Sequence, residues 1–205
     1  PHMTTGRVVD SHVDNKNHIW SIATAFGDNH FDLALEMSLA EGLDAVQTKL
    51  LKEIGLSINY NSYGKTENDL FFRINDVVNM VEDCGKDVFN IAKHEIFLKL
   101  LESFNSDMST ALCQAPYSIN EKGVIYIFPD EPWSHRILGA FSNHLVNVNK
   151  NSACAIAVEN SDKTYRISVR SSLNNPYGAG NLCKIFRGGG REKAGGIDDL
   201  EESDL

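Results

Sequence analysis

The sequence has no apolar stretch approaching the ~20 residues that a membrane-spanning helix needs, and its opening lacks the basic, apolar and small-residue succession of a secretory signal. The cytoplasm is therefore the default compartment, and no membrane partner is expected. Cysteines are few and scattered. Cys84, Cys113, Cys154 and Cys183 form no CxxC pair, which argues against a zinc knuckle and for buried free thiols. Familiar catalytic signatures are missing as well. Gly190 and Gly195 have the four-residue gap of a P-loop, but Gly196 stands where the lysine must be, and Gly188, Gly190 and Lys193 lack the third glycine of a dinucleotide fingerprint. No G-x-S-x-G elbow occurs, and His94-Glu95 is followed by Leu98 instead of a second histidine, so serine hydrolase and zincin readings fail too. The chain also lacks an excess of positive charge. A net charge of −9 argues against a general nucleic-acid coat protein.

What is present is 205 residues, 42 % of them hydrophobic, enough for a core of ordinary size in one domain or two small ones. Pro1-His2-Met3 reads as a cloning remnant and is left out of fold reasoning. Charge is unevenly spread. Seven basic residues between Lys163 and Lys193 face one acidic residue, Glu192, giving +6 locally, whereas the final "DDLEESDL" carries five carboxylates and reads as a solvated tail.

Periodicity divides the chain. "HFDLALEMSLAEGLDAVQTKLLKEIGLSINY" has helical spacing interrupted near Gly42 and predicts two helices. "TENDLFFRINDVVNMVEDCG" opens on a Thr66 to Asp69 capping pattern and stops at Gly85, predicting a third helix. The stretch from Asp87 to about Ala111 predicts one long helix, a strut between two bodies that move relative to each other, with the junction near Pro116. Beyond it the period becomes two. "GVIYIFP", "ACAIAVE" and "TYRISVRS" read as strands, with helices over "PWSHRILGAFSNHLVN", where Pro132 sits in the opening turn, and over "GAGNLCKIF". The fold class expected is α/β: a helical segment over residues 4–114 with its linker helix, then an α/β domain over residues 115–205 with a mixed sheet flanked by helices.

The stretch "FRGGGREKAGG" places five glycines and four charged side chains in eleven positions. Gly188, Gly189 and Gly190 remove the Cβ atoms that would hold a phosphate away, and Arg191 can grip two oxygens with its planar fork; a flexible connection is the alternative. Arg170 alternates with the apolar face of its strand, so it is expected to point toward solvent or ligand. Asn59, Tyr60, Asn61 and Tyr63 suit contacts to a base or sugar, or a turn between helices.

"TYRISVRSS" followed by "YGAGNLCKIFRGGGREKAGGI" resembles the C-terminal substrate-binding domain of the RecJ-like DHH phosphoesterase superfamily, in which a V-S-x-R-S strand precedes a short helix and a G-G-G-[H/R]-x-x-A-x-G loop. Upstream, "IATAFGDN" resembles the family's fourth metal-binding motif, and "LSINYNSYG" a stretch that follows it in some bacterial members. The resemblance runs from about Trp20 to Leu200. It implies a Mn²⁺-dependent hydrolase acting on a phosphorylated small molecule, a nucleotide or a short oligonucleotide, with Arg170, Gly188, Gly189, Gly190 and Arg191 holding the phosphate. It further implies that Asp28 ends a buried strand as a metal ligand, while the residues themselves fit a turn aspartate in "GDN" equally well.

The departures are equally specific. The family's Asp pair and intact Asp-His-His, needed to fix two metals about 4 Å apart, are not found before the fourth motif. "VVDSH" is strand-like and could stand for a degenerate copy, with Asp10 and His12 as further candidate ligands and Ser11 replacing a histidine, or could be a plain loop. The expectation is the latter half of a larger enzyme, inactive alone, with a non-catalytic nucleotide-binding or scaffold module as the alternative. Association of two copies through the helical half stays open.

Overall fold

Side-chain caps fix the start of two of the first four helices. The computed structural model describes residues 4–13, 17–85 and 87–205; Pro1-His2-Met3 lies outside them. Helix α1 (Thr5–His12) opens where the Thr4 side chain accepts the Arg7 N–H at 3.4 Å. "VVDSH" is thus helical, the cap outweighing the strand preference of Val8 and Val9. Helix α2 (His18–Gly27) replaces the strand expected before Asp28. Its run of apolar residues is buried nearly all round, and such a run does not distinguish a core helix from a strand by period. Helices α3 (Phe31–Ala40) and α4 (Ala45–Tyr60) flank Gly42 as expected, and α4 starts from a reciprocal Asp44–Gln47 capping box. Helix α5 begins later than its pattern suggests, at Ile74–Asp83. The expected long helix is broken at His94, whose Nδ1 accepts the Ile96 N–H, so that a 3-10 turn at Val88–Lys93 precedes α6 (Glu95–Leu112).

Two units emerge. The first holds residues up to Ser62 together with Leu70–Asn105; the second holds Tyr63–Asp69 and Ser106–Leu205. The boundary expected between residues 114 and 115 lies further along the chain, past the end of α6. In the first unit Ile22, Phe26, Leu51, Ile54, Ile91 and Phe97 form the centre of the core. Helices α2 and α4 approach backbone to backbone, for a Cβ on Gly55 would stand 2.0 Å from the Ala23 carbonyl oxygen.

The second unit is built on a six-stranded sheet: β1 (Ser118–Ile119), β2 (Gly123–Phe128), β3 (Ala153–Glu159), β4 (Thr164–Arg170), β5 (Gly189–Gly190) and β6 (Ala194–Glu201). Their order is β1-β2-β3-β4-β6-β5. Only β2 and β3 are parallel, joined through α7 (Pro132–Val148), as a parallel pair requires a crossover. Alternation sorts side chains between two helical layers. Tyr126 and Phe128 meet Phe141 of α7 at ring centroids of 5.2 and 5.5 Å, while Ile167, Val169 and Ile197 pack with Ala179 and Cys183 of α8 (Ala179–Ile185). The mixed sheet between helices is the architecture expected from the sequence.

Gly139 lies inside α7, where glycine is a poor helix former. A Cβ there would sit 3.6 Å from Cζ of Tyr63, an ordinary contact distance. Gly139→Ala is expected to stabilise the chain by about 0.5–1 kcal/mol. A raised urea midpoint with an unchanged slope would show it; a lowered midpoint would mean that the Tyr63 ring cannot accept the methyl group.

Candidate functional site

Where β4 ends, the sheet opens into a cleft of about 440 Å³ lined by Lys122, Asn151, Arg170, Ser171, Ser172 and Tyr177, among others. Register brings these together. Arg170 is opposite Cys154 on one side and Ala194 on the other, and the Ser171 N–H donates to the Lys193 carbonyl at 3.1 Å. Arg170 is half-buried and orients itself through the chain. Its Nε donates to Asn143 Oδ1 at 2.9 Å, and its Nη1 to Ser168 Oγ and the Val169 carbonyl at 3.0 and 3.1 Å. The two Nη2 hydrogens have no acceptor among the described residues.

The electrostatics of that guanidinium are unusual. Burial pulls its pKa down, opposed by the neighbouring Cys154, Tyr63 and Cys183. Neither thiol is an anion near neutral pH, because burial pushes the Cys154 thiol up to about 11 and raises Cys183 as well. No carboxylate pairs with Arg170 among the described residues. A desolvated cation without a counter-charge is costly.

The glycine stretch is a hairpin, not an open cradle. Gly189 and Gly190 pair with Gly196 and Gly195, the Gly188 N–H donates to the Cys183 carbonyl at 2.8 Å, and the Arg191 N–H closes the turn on the Ala194 carbonyl at 2.8 Å. Those two N–H groups are therefore engaged by the chain itself. Carbonyls point the other way. The Ala179 and Gly180 N–H groups, at the start of α8, donate to the carbonyls of Glu192 and Arg191 at 3.0 and 2.9 Å. The hairpin tip thus braces the cleft wall at Ala179, and the exposed Arg191 side chain lies outside the cleft lining. Gly188, Gly189 and Gly190 do not line the cleft either.

Asp10 and Asp28 line a separate cleft of about 620 Å³ in the first unit, with Trp20, Thr24 and Val81. Asp28 caps the C-terminus of α2 and is exposed. Asp10 is buried, one oxygen accepting the Asn17 N–H at 2.8 Å and the other meeting His18 Nδ1 at 3.1 Å; His18 Nε2 in turn lies 3.1 Å from Glu41. His12 is exposed, with Nδ1 on the Val8 carbonyl. Among the described residues no three histidine, cysteine or acidic side chains converge as a metal site. Asp10, His12 and Asp28 do not by themselves compose a two-manganese centre.

Of the polar stretch after α4, Tyr60 is core, packed against Phe104 and Phe71, and Asn59 Nδ2 donates to the Gly27 carbonyl. Asn61 is buried and bonds the backbone of Phe71 and Phe72. Tyr63 alone belongs to the second unit. Lys122, Asn151 and Tyr177 were invisible as cleft residues in the sequence because register and loops, not spacing, assemble them; the Ser171-Ser172 pair directly after Arg170 was the one available signal.

Fold and cleft together define a mixed α/β unit whose sheet carries at one end a cleft with Arg170, Lys122 and Glu121 in its lining, preceded by a helical unit. Among solved structures the chain is similar to a pGpG-specific phosphodiesterase, PggH, from Vibrio cholerae, at 9 % identity and a TM-score of 0.47, over 77 % of this chain and 53 % of that one. The chain spans about half the length of that protein. No family model matches the chain. No curated protein matches it.

Proposed function

We propose that the second unit binds the phosphoryl group of a nucleotide or short oligonucleotide in the Arg170 cleft, and that the chain serves in the hydrolysis of a phosphodiester. The observation that carries this reading is the Arg170 guanidinium, fixed by Asn143 and Ser168 and left, among the described residues, with no carboxylate partner and with two donors that no acceptor meets. A phosphate supplies both the missing charge and the missing acceptors. Lys122 in the cleft lining adds a second positive charge beside the Glu121 carboxylate, and the Ser172 hydroxyl, which accepts the Asn175 N–H, keeps its hydrogen for an anion, whereas the Ser171 hydroxyl is engaged by the Glu192 and Lys193 carbonyls. The hairpin shapes the wall, with Arg191 adding charge from outside it. Asp28 is the carboxylate that the resemblance assigns to manganese in the complete enzyme, and phosphate binding at Arg170 does not depend on it.

The test is titration with adenosine monophosphate at fixed salt. Arg170→Lys should weaken binding about tenfold or more, since lysine keeps the charge but not the planar fork. Arg191→Lys should cost less. Parent-like binding by Arg170→Lys would sink the reading. A second reading, binding without turnover, draws on Asp10, whose two oxygens are already engaged by Asn17 and His18. Manganese-dependent cleavage of a dinucleotide by the purified chain would overturn that alternative.

A further inference from the structure

The segment 63–69 is a short loop held onto the second unit chiefly by polar and ionic bonds. Arg166 Nη1 donates to the Gly64 carbonyl at 3.2 Å, Arg136 Nη1 donates to the Asp69 carbonyl at 3.0 Å, and Lys65 Nζ reaches both Asp130 oxygens, at 3.2 and 3.1 Å, and Ser161 Oγ. Internally, Asp69 Oδ2 accepts the Lys65 and Thr66 N–H groups, each at 2.8 Å. The Asp130 carboxyl is kept below the usual carboxylate range by the hydrogen bond from His135 and by Lys65, against the opposing pull of burial. Its charge therefore persists at neutral pH, and so does the clasp.

This clasp delivers Tyr63 to the face of α7 that positions Arg170. The end of the ring that bears the hydroxyl, Cζ with Cε1 and Cε2, is the part that would touch a Cβ on Gly139, at 3.6, 3.7 and 3.9 Å. Asn143, which holds Arg170 Nε, lies one turn further along the same helix, so residues 139 and 143 share a face. The Tyr63 hydroxyl makes no hydrogen bond among the described residues. Tyr63 is about two-fifths exposed, which leaves the phenol accessible.

We propose that Tyr63 is a second binding residue of the Arg170 site, its hydroxyl donating to an anion held by the guanidinium, and that the Lys65–Asp130 clasp sets its position. The inference rests on the reading of Arg170 as the anion site. The hydroxyl role requires the oxygen and not the ring, and the clasp role requires that loosening the loop acts in the same direction.

Calorimetric titration of the whole chain with inorganic phosphate and with adenosine monophosphate tests it. Tyr63→Phe is expected to weaken both by about tenfold or more, the size of one lost hydrogen bond to a charged partner, while the melting temperature stays that of the parent. Lys65→Met should weaken both several-fold, and added salt should weaken the parent toward it. Unchanged affinity in Tyr63→Phe overturns the proposal, as does a Tyr63→Ala variant that loses the nucleotide but keeps inorganic phosphate, since the ring would then be stacking. A Lys65→Met variant that binds like the parent removes the clasp. Arg170→Gln separates the two levels: phosphate binding that survives it refutes the Arg170 site itself, whereas its loss alongside parent-like Tyr63→Phe refutes the tyrosine alone.

Discussion

Gly188→Ala and Gly190→Ala are expected to destabilise the second unit strongly, while Gly189→Ala between them leaves it at least as stable as the parent. A Cβ at residue 188 would stand 2.3 Å from the Gly196 carbonyl oxygen and 2.7 Å from Ile197 Cγ1, so backbone must move. At residue 190 it would stand 2.4 Å from both the Ala194 oxygen and the Gly195 Cα, and φ is +143°, a region almost closed to other residues. Overpacking of this kind costs about 1–3 kcal/mol, and the strained φ at residue 190 adds roughly as much again. Residue 189 meets nothing within 4 Å, and alanine there gains the smaller entropy loss of a stiffer unfolded chain, about 0.4–1 kcal/mol where the native φ and ψ allow it. Urea midpoints of the three variants decide the matter. Equal losses at all three positions would mean that packing does not explain the run of glycines.

Arg136→Met is expected to cost about 3–5 kcal/mol, because it strips a buried carboxylate of its guanidinium partner. Arg136 and Asp107 are 9 % and 7 % exposed, and Nε meets Oδ2 at 2.9 Å. Desolvation was already suffered by both groups on folding, so removing one leaves the other with the penalty and without the attraction. The companion double variant, Arg136→Met with Asp107→Leu, should recover most of the loss, since an apolar pair of similar volume avoids the desolvation altogether. Chemical unfolding of the two single variants and the double variant forms the cycle. A double variant no more stable than Arg136→Met alone would locate the damage elsewhere, in the bond from Arg136 to the Asp69 carbonyl or in packing.

The strands were legible because their signal is local: Ile167 and Val169 alternate with Ser168 and Arg170, and that alternation is what the two helical layers divide. Helix α7 announced itself through Pro132 at its first turn. Other signals were real but incomplete. The Thr66–Asp69 pattern does make its hydrogen bond, with Asp69 Oδ2 accepting the Thr66 N–H, yet a single 3-10 turn over Glu67–Asp69 and then a loop follow, and the α-helix starts only at Ile74. The same side-chain bond closes either structure. The strand expected before Asp28 failed because α2 is too buried to show a polar face. Arg170 and Arg191 were singled out from the sequence, but that no carboxylate pairs with Arg170 among the described residues is a property of the folded chain, as is the use of the Gly188 and Arg191 N–H groups inside the hairpin.

The carbonyls of Arg191 and Glu192 receive the opening N–H groups of α8, and α8 packs back on the strands that carry the hairpin. Helix and hairpin are consequently a single cooperative block: the hairpin cannot peel from the sheet edge without unwinding the first turn of the helix, nor the helix fray without loosening the hairpin. Part of the cleft wall, at Ala179, therefore inherits its rigidity from residues a dozen positions later in the chain, and an insertion that lengthened the hairpin tip would soften the wall without touching a single residue that lines it.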